Sequence, residues 1–203
     1  MSKTRVWRVA VTGGVGCGKS TVAAILSSLG AETVDADELA HRVIRRGQPA
    51  HAQIVERFGP QVLRPDGEID RNVLGRVVFA DDGARAALNA IVHPPVRAML
   101  NAWLEERKQA GNPLVVVVPL LFEVGWTAGW DAVVCVAADE DVALQRLQER
   151  GLAPADARRR MAAQWPVAEK ARRSDYVIWN NVSRQELERT TRSVWSNILE
   201  KEG

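Results

Sequence analysis

Residues 13–21 read Gly13-Gly14-Val15-Gly16-Cys17-Gly18-Lys19-Ser20-Thr21, and Gly13, Gly18, Lys19 and Ser20 satisfy the G-x-x-x-x-G-K-[ST] spacing of a phosphate-cradling loop. The spacing has a physical cause. Backbone N–H groups must converge on phosphate oxygens, and side chains would obstruct them. Gly13, Gly14, Gly16 and Gly18 remove the obstruction and permit positive φ. A helix opening near Lys19 points its positive end at the same anion. Lys19 is expected to bridge the β- and γ-phosphates of a bound nucleotide, Ser20 to ligate Mg²⁺, and Thr21 to reach the α-phosphate. With Gly14, Val15, Gly16, Cys17 and Gly18 they make up the expected nucleotide site. Cys17 reads as a small residue filling a variable loop position rather than a redox centre.

The flanks supply the context that this motif requires. Arg5 to Thr12 (RVWRVAVT) reads as a buried strand, and Ser20 to Leu29 as a helix with Val22, Ile25, Leu26 and Leu29 on its apolar stripe and Gly30 as its stop. ETVDAD (32–37) reads as a short strand beside the loop-bearing strand, with Asp35 and Asp37 on one face of its carboxyl end. From Glu38 to about Gly111 the pattern is helical, with breaks at 47–49, 59–60 and 65–67 and one long helix following His93-Pro94-Pro95. LVVVVPLLFE (114–123) returns to a central strand, and DAVVCVA (131–137) is another. A charged helix (140–150), a basic helical tract (151–173), a short strand DYVI (175–178) and a helix from Ser183 to Lys201, capped by Ser183 with Glu186 three residues on, complete the chain.

Strands alternating with helices predict an α/β fold of the P-loop NTPase type: a parallel sheet of five strands covered on both faces, with right-handed connections. The expected organisation is a nucleotide-binding core of 1–37, 113–150 and 174–203, a helical acceptor domain of 38–112, and a helical lid of 151–173. The 203 residues can bury one sizeable core, and 46% hydrophobic against 26% charged residues fits a soluble globular chain. A formal net charge of +2 is too small to point to nucleic acid. No apolar run reaches the length needed to cross a bilayer, and the N-terminus lacks a secretory pattern. With Cys17 and Cys135 as the only cysteines, a reducing, cytoplasmic setting is expected.

A phosphate loop alone serves GTPases, ATPase motors and kinases. No Asn-Lys-x-Asp guanine reader is present, and the VVVV run ends in Pro119-Leu120-Leu121 instead of an acidic residue. Short small-molecule kinases carry a helical insertion after the second strand and an arginine-rich late segment, and this chain shows both. Along nearly its whole length it resembles the bacterial dephospho-coenzyme A kinase family. The matching pieces are TGGVGCGKSTVA (12–23), VDADELAH (34–41), Phe58-Gly59, DGEIDR (66–71), Val78-Phe79, His93-Pro94, VPLLFEVGW (118–126), RLQER (146–150), and Gln164 with Lys170, Asp175 and Asn180. It departs from the family at Ala143, where a Gln is frequent, and in the 174–180 segment, which reads Ser-Asp-Tyr-Val-Ile-Trp-Asn.

The resemblance implies phosphorylation of the 3′-hydroxyl of dephospho-coenzyme A by ATP with Mg²⁺. The expected partner is that small molecule, with neither nucleic acid nor membrane, and the expected state is a monomer or weak homo-oligomer. A carboxylate is expected to orient the acceptor hydroxyl and take its proton; Asp37 is the first choice, with a helix N-cap role compatible, and Asp35 the second. Arg146 and Arg150, four apart on one helix face, are expected to neutralise charge on the transferring group. Arg158-Arg159-Arg160 reads as exposed surface. His93 is assigned to building the acceptor pocket rather than to base catalysis. Arg71, Leu120 and Glu123 join Asp37 on the acceptor side, and Asn180 joins Arg146 on the nucleotide side. The seven tryptophans are expected mainly in packing. Two rivals remain open: a kinase for a nucleoside monophosphate or other small metabolite, and a nucleotide-gated binding protein.

Overall fold

The apolar runs become strands because both of their faces are covered. β1 (Arg8–Gly13), β3 (Leu114–Val117) and β4 (Ala132–Ala137) are buried almost throughout, as continuous β-branched runs require. β2 (Glu32–Asp35) and β5 (Tyr176–Trp179) are partly exposed. The structure is a computed structural model that describes residues 6–109 and 111–200. Arg5 and Lys201, the expected outer ends of the first strand and last helix, lie outside the described residues. Among those residues the strands form one five-stranded sheet in the order β2-β3-β1-β4-β5, with every neighbouring pair parallel. All carboxyl ends therefore share one edge, where open α/β sheets bind ligands.

Two details of the expected arrangement are corrected. β2 does not lie beside β1. β3 separates them, pairing Val115 with Val9 and with Thr33. The reason is burial: Glu32, Thr33 and Asp35 are half-exposed and suit an edge, whereas Leu114-Val115-Val116-Val117 needs cover on every side. The strand also stops at Asp35, and α2 (Ala36–Val43) begins at once. Asp37 therefore sits in the first turn of a helix and does not share a strand face with Asp35.

The chain divides into two compact units, one holding everything up to Asp35 and from Arg107 onward, the other Ala36–Glu106. In the first, α1 (Lys19–Ser28) and α9 (Arg184–Glu200) pack on the sheet. Their core joins Val22, Ile25 and Leu26 with Val9, Val115, Val134, Ile178, Leu187, Trp195 and Ile198. Ser183 Oγ accepts from Glu186 N–H at 3.2 Å, capping α9 as its sequence predicts. α6 (Glu140–Glu149), α7 (Pro154–Ala162) and α8 (Val167–Arg172) complete the unit.

The second unit contains α2, α3 (Pro49–Phe58), a single 3₁₀ turn at Pro60–Val62, α4 (Arg71–Ala80) and most of α5 (Asp82–Arg107). Ile54, Phe58, Val62, Ile69, Leu74, Val78 and Ala84 form its core. α5 differs from expectation: it opens at Asp82 and runs through Pro94 and Pro95. Each proline removes one intrahelical donor, but long helix-forming stretches on both sides, with Val96, Leu100 and Leu104 buried, carry the helix across the gap.

At the opposite edge of the sheet, aspartates extend the ladder with their side chains. Asp175 N–H donates to the Val133 carbonyl at 2.9 Å, and its Oδ2 accepts from Val133 N–H at 2.8 Å. Asp131 makes the same pair of bonds to Arg8, at 2.8 Å each. Each carboxylate satisfies a main-chain N–H at the start of a buried strand. Asp175→Ala is expected to lower unfolding free energy by about 1–3 kcal/mol by stranding the Val133 N–H, whereas Asp175→Asn, which keeps an acceptor oxygen, loses less. Urea unfolding of the two variants measures the difference.

Candidate active site

The phosphate loop starts where β1 ends and closes where α1 begins. Cys17 N–H donates to the Gly14 carbonyl at 3.3 Å. Gly13 and Gly18 have φ of 140° and 95°, values that L side chains rarely adopt. Gly18 is the N-cap of α1 and offers no side-chain cap. The Lys19 ammonium folds over the loop and donates to the carbonyls of Gly13 and Gly14 at 3.0 and 2.8 Å. Ser20, in the first helical turn, is exposed, and Thr21 is half-buried.

The glycines are also required by the protein's own packing. A Cβ on Gly13 would stand 2.1 Å from the Val136 carbonyl oxygen of β4, and one on Gly18 would stand 2.2 Å from Nδ2 of Asn180. These contacts come from structure packed against the loop, which the spacing of the motif does not reveal.

Two residues remote in sequence hold the loop's backbone. Gln164 Oε1 accepts from Val15 N–H at 3.0 Å. Asn180, 5% exposed, donates from Nδ2 to the Cys17 carbonyl at 2.8 Å. Arg146 Nη2 donates in turn to the Asn180 carbonyl at 2.8 Å and to its Oδ1 at 3.4 Å. Arg146 Nη1 is buried with no hydrogen-bond partner among the described residues. The two arginines of α6 thus part company: Arg146 is tucked against Asn180, while Arg150 is the exposed C-cap. Gly151 and Leu152 close the helix behind it with bonds to Gln148 and Leu147.

The turn after β3 is fixed from α8. Lys170 is fully buried, and its ammonium donates to the Pro119 carbonyl at 2.8 Å and to Glu123 Oε1 at 2.7 Å. Thr12, one residue before the loop, donates to the same Pro119 carbonyl at 3.4 Å. Glu123 Oε1 also accepts from Trp165 N–H at 2.9 Å, and its Oε2 is buried without a partner among the described residues. Trp165 stacks on Phe122 with centroids 6.3 Å apart, and the Arg173 guanidinium lies 4.9 Å from the Trp165 ring centroid. Leu120 is half-buried on this turn. Of the basic tract, Arg158, Arg159 and Arg160 are exposed, and Arg159 pairs with Asp156.

The remaining expected residues belong to the helical unit, apart from Asp35 at the carboxyl end of β2. Asp37 is exposed in the first turn of α2, and Arg71 opens α4. Both act on His41 of α2. Burial lowers its pKa first, Arg71 lowers it further, and Asp37 and Glu38 oppose them. His93, inside α5, is half-buried, and burial alone pulls its pKa below the usual value, so its neutral form dominates at pH 7.

The family model described as dephospho-CoA kinase matches residues 7–186. The chain belongs to the dephospho-CoA kinase family. It is 48% identical over 183 residues to a dephospho-CoA kinase of Geobacillus kaustophilus, covering 89% of this chain and 91% of that one. It is 50% identical over 174 residues to one of Anaeromyxobacter dehalogenans, covering 85% and 82%. Among solved structures, TT1252 of Thermus thermophilus superposes with a TM-score of 0.80 at 35% identity, covering 98% of this chain and 100% of that one. The dephospho-CoA kinase of Campylobacter jejuni gives 0.68 at 26% identity, with 95% and 97% covered. A shikimate kinase of Acinetobacter baumannii, at 0.53 and 19% identity with 98% and 97% covered, shares the fold.

Within this dephospho-CoA kinase family member, the structure adds Gln164 and Lys170 to the site. Both stand in the basic tract 151–173, which reads as a lid, so only their spacing within the family pattern marked them. Cys17 is buried and burial pushes its thiol pKa up, against the opposing pull of Lys19; the thiol stays protonated at neutral pH. Burial likewise pushes Cys135 up to about 12. Trp195 lies in the core with Trp7 packed against it, Trp126 meets Trp130 edge to face, and Trp179 stands 49% exposed. Replacing Lys170 with Met leaves the Glu123 carboxylate buried without its counter-charge. The expected cost is about 3–5 kcal/mol, with part of it recovered when Glu123→Gln is added, as measured by denaturant unfolding of single and double variants.

Proposed function

We propose that this chain transfers the γ-phosphoryl group of ATP to the 3′-hydroxyl of dephospho-coenzyme A, giving coenzyme A and ADP, the last step of coenzyme A synthesis. The observation that carries the reading is the phosphate loop at the carboxyl end of a central parallel strand, with the Lys19 ammonium folded over it, in a chain whose family match spans residues 7–186.

Phosphoryl transfer asks for positioning and charge neutralisation more than covalent help from the protein. The loop amides and Lys19 grip the triphosphate, and Arg146 and Arg150 offset charge on the moving group. Ser20, exposed in the first turn of a helix without a side-chain cap, would hold Mg²⁺, a cation that takes few protein ligands and keeps waters and phosphate oxygens. When bound, the ion would neutralise negative charge on the triphosphate. Asp37 orients the acceptor hydroxyl and receives its proton as the oxygen–phosphorus bond forms and the bond to ADP breaks. Asp35 is the alternative base. Arg71, His93, Leu120 and Glu123 hold the acceptor, and the exposed arginines around α7 belong to a lid that keeps water out. Among the described residues no helix is long and apolar enough to cross a membrane, and we assign the protein to the cytosol.

Mass spectrometry of dephospho-coenzyme A incubated with enzyme, ATP and Mg²⁺ is expected to show the gain of one phosphate. A nucleoside monophosphate or another small metabolite gaining it instead would replace the assigned acceptor. ATP binding without transfer to any acceptor would reduce the protein to a nucleotide-gated binder. Asp37→Asn is expected to lower kcat by about 100-fold or more while leaving the KM for ATP unchanged. Near-normal turnover in that variant would move the base role to Asp35.

A further inference from the structure

Asn180 is held in place on three sides. Its N–H donates to the Ala137 carbonyl at 2.7 Å, continuing the β4–β5 ladder by one bond. Its carbonyl and Oδ1 both face Arg146 Nη2, and its Nδ2 faces the Cys17 carbonyl. The orientation of the amide is not arbitrary. Arg146 has only donors and the Cys17 carbonyl only accepts, so Oδ1 must turn to the guanidinium and Nδ2 to the loop.

The consequence follows from peptide geometry. In a planar trans peptide the carbonyl and the following N–H point in opposite directions. Fixing the Cys17 carbonyl toward Asn180 turns the Gly18 N–H away from Asn180, toward the face of the loop on which phosphate is expected. The Asn180 amide also lies where a Gly18 side chain would be, so the close approach is possible only because residue 18 is glycine. Without this bond, rotation of the Cys17–Gly18 peptide would present a carbonyl oxygen to an anion in place of a donor.

We propose that Asn180 is a positioning residue for the phosphate loop, acting through the Cys17–Gly18 peptide on the β-phosphate rather than by contact with the nucleotide base. The assignment rests on the reading of residues 13–21 as the triphosphate cradle. It revises the role of Asn180 from nucleotide contact to orienter of a donor, with Arg146 fixing which way its amide faces.

The test compares ADP, which reaches the loop with its β-phosphate, and AMP, which does not. Calorimetric titration of the full-length chain and of Asn180→Ala and Asn180→Ser is expected to show ADP affinity falling about tenfold or more, as loss of a hydrogen bond to a charged group implies, with AMP affinity unchanged within about twofold. Equal losses for ADP and AMP would overturn the proposal in favour of a base contact or a general structural role, and so would unchanged ADP affinity. Should both variants fail to fold, the wild-type protein carries the test. Through-hydrogen-bond NMR coupling between Asn180 Nδ2 and the Cys17 carbonyl carbon is expected with and without ADP. Its loss on ADP binding, with nuclear Overhauser contacts from the Asn180 amide to adenine protons, would overturn the proposal. None of these measurements involves the acceptor, so a failure to phosphorylate dephospho-coenzyme A would leave their outcome untouched.

Discussion

A loop that offers main-chain donors to an anion must have its own conformation held from elsewhere, because every peptide that turns to point an N–H inward sends a carbonyl outward. In this protein that constraint organises the unit that carries residues 13–21. The Cys17 carbonyl goes to Asn180, Val15 N–H to Gln164, and the Gly13 and Gly14 carbonyls to Lys19. The partners arise from the end of β5, the segment between α7 and α8, and the first turn of α1. A short stretch of backbone is thus shaped by residues up to 163 positions away.

The same economy of buried polar bonds fixes the turn that follows β3. Pro119 contributes a carbonyl and no N–H, and that carbonyl receives both Thr12 and Lys170. Lys170 then carries the Glu123 carboxylate, which also takes the Trp165 N–H. A buried charge of this kind persists only when it is paired and hydrogen-bonded, so Lys170, Glu123 and Pro119 behave as one unit. Through it the strand end beside the phosphate loop, the turn after β3 and helix α8 are joined. The exposed arginines of α7 lie outside this network.

The helical unit has its own logic. A hydrophobic centre built on Ile54, Phe58, Val62 and Leu74 supports helices that start on polar caps, as where Asp70 accepts from Asn72 and Val73 at the opening of α4. That capping role accounts for Asp70, leaving the neighbouring Arg71 available on the first turn, where it and Asp37 both bear on the charge of His41.

The sequence by itself determined the class of the protein, because its deciding signals are local. The glycine spacing of 13–18, the lysine at 19 and the β-branched runs at 114–117 and 132–137 each state a backbone or burial requirement within a few residues, and the family pattern extends those requirements along the chain. Tertiary structure alone decided the rest. Strand order placed β3 between β1 and β2 because the polar residues of β2 tolerate an edge. Neighbours on both sides carried α5 through two prolines that read locally as a boundary. The burial of Lys170 and the grip of Asn180 on Cys17 were invisible in the chain, since an isolated lysine or asparagine looks alike on a surface and in a core. Only the arrival of a partner from a distant segment distinguishes the two, and that arrival is a property of packing rather than of spacing.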